Sequence, residues 1–283
     1  MSFLFEEPIP AFRSSLDVAS SAEALYLAFD ARGDVLVERA DNSLLTFASA
    51  TRHGLSTNDT HPLGVLGETP VHIALLEGVL SGGALPENLR TTSVRRLFGA
   101  LDISQIAVAA MGSQLAHFIR NNQFCGRCAK PLVAVAGERA RRCEACERDV
   151  YPSIHPCAIV LVHDGDRIVM TRTKLFPKGF YGLVAGFLEM GETVEQCAAR
   201  EVLEEVGLEV EDVSYVASQP WPFPSQLMLG LTARYRSGEL VVDTKELEDA
   251  RWFDLDALPP LPPPLSIARH LIDLHLAARK PSS

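Results

Sequence analysis

The sequence predicts a mixed α/β (α+β) protein, and three observations predict it. A well-capped helix over 194–206 sits among strand-like runs, two C-x-x-C pairs lie at 125–128 and 143–146, and a terminal helix over 266–278 follows a proline-rich stretch. At 283 residues the chain is long enough for two domains and a small third module. We place an α+β domain at 1–121, a cysteine module at 122–151 and a third domain at 152–283.

Composition excludes several classes. The hydrophobic fraction of 47% suits a globular chain, and a net charge of −10 is no footprint for nonspecific nucleic-acid binding. The opening stretch MSFLFEEPIP lacks the basic region and apolar core of a signal peptide. No apolar run approaches the ~20 residues of a membrane span. We therefore expect a soluble cytoplasmic protein with no membrane partner, whose thiols are free or metal-bound.

The first domain carries the fewest signals. Ala24–Phe29 and Asp34–Glu38 read as a hairpin around Ala31-Arg32-Gly33, and Val71–Leu76 as a further strand. Ser93–Leu101 and Ile103–Asn121 read as helices, the second with apolar residues at Ile106, Ala110, Leu115 and Phe118. Arg95 and Arg96 read as surface arginines, with reach to a phosphate as the alternative.

Cys125-x2-Cys128 and Cys143-x2-Cys146, fourteen residues apart, have the spacing of two zinc knuckles joined by a hairpin. Disulfides and unrelated buried cysteines are the alternatives. Four thiolates leave no open coordination position, so a zinc here would be structural. Arg127, Lys130, Arg139, Arg141, Arg142 and Arg148 make the module mildly basic, which suits either a charged hairpin surface or contact with an anionic substrate or RNA end. Cys157 and Cys197 read as small core residues.

In the third domain Cys157–Val162, Arg167–Arg172, Val213–Ser218, Leu227–Tyr235 and Ala250–Phe253 read as strands. Thr193 is a natural N-cap, Gln196 completes a capping box, and Gly207 stands where a left-handed C-cap belongs. At about 100° per residue, Glu201, Glu204 and Glu205 crowd one sector of that helix. Such crowding is either a solvated acidic face or a divalent-cation site, since hard cations take carboxylate oxygens. Ser218–Pro224 (SQPWPFP) cannot form a regular helix or central strand, and reads as a stiff loop. It presents Trp221 and Phe223 either as a structural corner or for stacking on a flat ring.

The stretch Gly186–Leu208, GFLEMGETVEQCAAREVLEEVGL, matches the Nudix box G-x5-E-x7-R-E-U-x-E-E-x-G-U at every specified position, U being aliphatic. Together with the cysteine module and SQPWPFP, it makes the chain resemble the zinc-containing NADH pyrophosphatases of the Nudix superfamily, the NudC type. The resemblance covers Cys125 to the C-terminus well and the first domain loosely. It implies an α/β/α sandwich with a mixed sheet, cleavage of NAD(H) to nicotinamide mononucleotide and AMP, removal of NAD caps from RNA 5′ ends in some members, and a homodimer. It implies that Glu201, Glu204 and Glu205 are catalytic. With Glu246 and the carbonyl of Ala185 they would hold about two or three Mg²⁺ or Mn²⁺ ions. It implies substrate contacts at Tyr151, Gln219, Pro220, Trp221, Pro222, Phe223, Pro224, Ser225, Gln226 and Ala268. The family loop reads SQPWPFP-x-S, whereas this chain has Gln226 at the last position and Ser225 one place earlier. The rival readings are another Nudix substrate, such as ADP-ribose or a dinucleoside polyphosphate, and a non-catalytic nucleotide- or RNA-binding module.

Overall fold

The computed structural model describes residues 12–80, 84–174 and 176–279. The stretch read for a targeting signal lies outside them, and no helix among the described residues is long and apolar enough to cross a membrane. The chain divides into two compact units, Pro8–Ser153 with Pro222–Ser225, and Ile154–Trp221 with Gln226–Ser283.

The first unit opens with β1 (Phe12–Ser14), β2 (Leu25–Phe29), β3 (Val35–Glu38), β4 (Leu45–Thr46), α1 (Phe47–Arg52) and β5 (His61–Leu66). It continues with β6 (Thr69–Leu75), α2 (Leu76–Val79), β7 (Leu89–Thr92) and α3 (Ile103–Asn121). The strands form one sheet in the order β1-β5-β6-β2-β3-β7, with β4 beside β2. Alternation along β2 sends Leu27 and Phe29 into the core built with α3, and Tyr26 and Ala28 into a second core with α1. All four apolar residues read on α3 are buried. Gly112 is glycine within this helix because a Cβ there would stand 2.9 Å from the Phe29 ring. Ser93–Leu101 is a correction: it forms one 3₁₀ turn over Val94–Leu97, and Gly99, at φ 83°, turns the chain before α3.

The cysteine module adds β8 (Val133–Ala134), β9 (Arg141–Cys143) and β10 (Arg148–Val150) as a three-stranded sheet, order β10-β9-β8. Ala129 and Glu147, each just past a C-x-x-C pair, take left-handed φ of 58° and 51°. Such a twist is uncommon for residues other than glycine, and both knuckles share it. Arg139 donates to the carbonyls of Pro62, at 3.0 Å, and Leu63, tying the module to β5.

The second unit comprises β11 (His155–Asp164), β12 (Arg167–Thr173), β13 (Val184–Phe187), α4 (Val194–Val206), β14 (Glu209–Trp221), β15 (Gln226–Ser237), β16 (Leu247–Asp254) and α5 (Ile267–Ala278). Its sheet runs β14-β15-β11-β12-β16 with β13 on β11. The β11–β15 pair is parallel and the other pairs antiparallel, so the sheet is mixed. Ala158, Val160 and Val162 of β11 pack with α4, whereas Cys157, Ile159 and Leu161 pack with α5 on the opposite face. The result is the α/β/α sandwich. Ser218–Trp221 is a second correction: it is not loop but the end of β14, with Pro220 opposite Leu227. β14 is the outer strand of the sheet, where a proline removes no ladder donor that is needed.

His275 on α5 lies 4.8 Å from His163 on β11, ring centre to ring centre. Burial, then the neighbouring His163 and Arg279 charges, push the His275 pKa down to about 4. A depressed histidine contributes its stability above the unfolded-state value near 6.5 and loses it as pH falls toward 4. We expect His275→Gln to flatten the decline of the unfolding midpoint between those pH values, by on the order of 1 kcal/mol after allowing for solvent screening. Denaturant titrations of parent and variant at both ends of the window check this.

Candidate active site

The acidic helix is built as its sequence dictates. Thr193 Oγ1 accepts from the N–H of Gln196 at 3.3 Å, and Gln196 Oε1 accepts from the N–H of Thr193 at 2.8 Å. Gly207 ends the helix at φ 70°, where a Cβ would also stand 2.9 Å from the Glu239 carbonyl. The buried face of α4 is Cys197, Ala198, Val202 and Val206, and Glu201 and Glu205 are buried along its edge. Glu204 is exposed. The three carboxylates therefore do not share one environment.

Arg200 holds the group together. Its Nε and Nη2 grip the two Glu192 oxygens at 2.7 and 2.9 Å, and its Nη1 reaches Glu201 at 2.7 Å and Glu204 at 3.0 Å. Nη2 also donates to the Phe187 carbonyl at 3.0 Å, which anchors the guanidinium to β13. The bond from Arg200 and the N–H of Glu189 hold Glu192 near pKa 2. Glu192 thus stabilises the loop before α4 through an ion pair and a backbone bond.

Burial, with the charges of Glu201 and Glu246, pushes Glu205 up to about 8, and the N–H of Ala185 opposes the shift. Glu201 is also raised, chiefly by burial, against the pull of Arg200. Two buried acids on one helix edge, each raised further by the Glu246 charge, favour a proton or a cation. The hard oxygen donors fit Mg²⁺ or Mn²⁺. Glu246 stands on a turn whose Asp243 donates its N–H to the Glu205 carbonyl at 2.9 Å. That backbone bond carries it to α4 from forty residues away, a link the spacing did not reveal. Gly186 lies on β13, where a Cβ would meet the Glu201 carboxyl carbon at 1.9 Å. The first box glycine is needed for close approach, not for an unusual backbone angle.

The cysteine module meets its expectation. The sulfur atoms of Cys125, Cys128, Cys143 and Cys146 all lie within 4.8 Å of one another, the one such group among the described residues. The N–H groups of Arg127 and Cys128 favour the thiolate at Cys125 and bring its pKa down to about 6. Four convergent thiolates fit a single tetrahedral Zn²⁺.

The remaining expected residues are placed as follows. Tyr151 is exposed and its hydroxyl donates to Glu138 at 2.6 Å. Gln219 is fully buried, and Ala268 is buried in the first turn of α5. Pro220 and Trp221 end β14, and Gln226, opposite Trp221, begins β15. Trp221 packs on the core beneath α5. Pro222–Ser225, with a cis Phe223–Pro224 bond, belongs to the first unit. There Ser225 is buried, and the Arg95 guanidinium lies 4.5 Å over the Phe223 ring. Arg95 is exposed, as the sequence reading had it; its contact with the Phe223 ring, far along the chain, carries no local signal.

A mixed sheet between two helices, an acidic helix edge and a four-cysteine ribbon define a zinc-ribbon Nudix-domain protein. Family models agree, with the NUDIX domain matching residues 153–273 and the NADH pyrophosphatase zinc ribbon domain matching 120–151. The NAD-capped RNA hydrolase NudC of Pseudomonas aeruginosa (strain LESB58) is 51% identical over 178 residues, 63% of this chain and 64% of that one. That of Pseudomonas fluorescens is 42% identical over 233 residues, covering 81% of this chain and 83% of its own. The chain spans 64% of the length of the first of these relatives. It belongs to the NudC family of Nudix-domain proteins, and its cysteine ribbon is the structural zinc site.

Two outcomes follow from this geometry. Gly186→Ala displaces the Glu201 carboxyl and weakens Mn²⁺ binding by about 10- to 100-fold, read by paramagnetic titration, while far-ultraviolet circular dichroism is unchanged. Cys143→Ser loses the zinc, read by metal analysis, and lowers the thermal midpoint, because structural zinc contributes folding energy.

Proposed function

We propose that this protein hydrolyses the pyrophosphate bond of NAD(H) to nicotinamide mononucleotide and AMP, and removes NAD caps from RNA 5′ ends, acting in the cytoplasm as a homodimer. The observation that carries the reading is the pair Glu201 and Glu205, both buried along one edge of α4, acids that cost energy to ionise unless a cation is shared between them. Mg²⁺ or Mn²⁺ held there would supply charge neutralisation of the diphosphate and an acidified water.

The chain's own residues do the rest. Glu201, Glu205 and Glu246, with the Ala185 carbonyl, would hold the ions. Glu204, exposed and bonded to Arg200, or Glu205, accepts the proton from the attacking water. Arg200 orients the carboxylates by four side-chain hydrogen bonds and does not touch substrate. Pro220 and Trp221, at the end of β14, offer flat, stiff surface for a ring of the dinucleotide, and the family resemblance adds Tyr151, Pro222, Phe223 and Pro224 as candidate contacts. Gln226 offers an amide where the family loop has a hydroxyl, and Ser225 and Ala268 complete the contacts. The names of the relatives support NAD and capped RNA over other diphosphates.

Glu205→Gln is expected to lower NADH cleavage at fixed Mg²⁺ or Mn²⁺ by at least about 100-fold. Turnover within about threefold of the parent would remove the metal-site assignment. Rates on NADH, NAD⁺ and ADP-ribose measured side by side separate this reading from a Nudix enzyme with another main substrate.

A further inference from the structure

The approach to α5 is poor in hydrogen-bond donors. From Pro259 to Pro264 only Leu261 keeps a backbone N–H, so this stretch has little means of fastening itself by its own main chain. The first N–H groups of a helix also lack partners within it. Ser266 answers part of this need: its Oγ donates to the Pro263 carbonyl at 2.8 Å and accepts from the N–H of Arg269 at 3.3 Å.

Gln219, on β14, answers the rest. Its Nε2 donates to the Leu265 carbonyl at 2.8 Å, and its Oε1 accepts from the N–H of Ile267 at 2.8 Å. The residue has 0% exposure, so both bonds are made away from solvent. On the neighbouring strand β15, Gly230, which pairs with Ala217, leaves room for the helix, since a Cβ there would stand 2.8 Å from Ile267 Cδ1. The helix start is thus seated sterically by a glycine and polarly by one amide. The next residue is Ala268.

We propose that Gln219 is a positioning residue: its amide clamps the first turn of α5, sets where Ala268 stands against the dinucleotide, and does not itself touch substrate. This rests on the reading of Ala268 as a substrate contact. It separates Gln219 from its neighbours in the SQPWPFP stretch, because its amide is turned inward to two backbone partners.

The test pairs Gln219→Leu with hydrogen–deuterium exchange and steady-state kinetics on NADH with Mg²⁺. Exchange over 267–271 is expected to rise by about tenfold, KM to rise by about tenfold, and kcat to stay within about threefold. Ser266→Ala loosens the same turn without altering Gln219 and is expected to raise KM in the same direction. Faster exchange with unchanged KM in either variant overturns the proposal, since the clamp would then be structural alone. A raised KM in Gln219→Leu with unchanged exchange also overturns it, since Gln219 would then meet the substrate directly. A parent protein that fails to cleave NADH removes the functional reading itself, a result seen before any variant is made.

Discussion

The Arg200 guanidinium is the interaction on which the candidate site depends. It joins the loop before α4, through Glu192, to the helix, through Glu201 and Glu204, and to β13, through the Phe187 carbonyl. Like charges at helical spacing repel, and one cation with five donors in a fixed fork is suited to hold several of them. Lysine, with a single compact ammonium, could not reach the same partners in the same plane.

Around that hub the carboxylates are sorted by burial. Glu201 and Glu205 line the edge of the apolar face of α4, and Glu204 faces water. One helix therefore offers two buried acids and one exposed acid. Gly186 lets Glu201 lie against β13, and the backbone bond from Asp243 to Glu205 ties the turn that carries Glu246 to α4. The spacing of the box residues is thus a record of which groups must touch.

The acidic helix was legible to the residue, from Thr193 to Gly207, because capping chemistry acts within a few positions along the chain. The cysteine ribbon and α3 were legible for similar reasons, a fixed ligand spacing and a long apolar stripe. Much of the first unit was not. β5 and β7 carry His61, Pro62, Arg90 and two threonines, and form because neighbouring strands complete their ladders. Ser93–Leu101 has helix-forming residues yet makes a single 3₁₀ turn, since Gly99 must redirect the chain into α3.

The prolines of SQPWPFP excluded a central strand, and the chain complies by placing the stretch at the sheet's outer strand and its turn. Local chemistry by itself determined the helix, its caps, the ribbon and the residue types available to bind a cation or stack on a ring. Tertiary structure alone decided that Glu201 and Glu205 are buried while Glu204 is not, that Arg95 covers Phe223, and that Gln219 faces inward to α5. The physical reason is that burial and long-range contact depend on which faces meet, and no window of neighbouring residues contains that information.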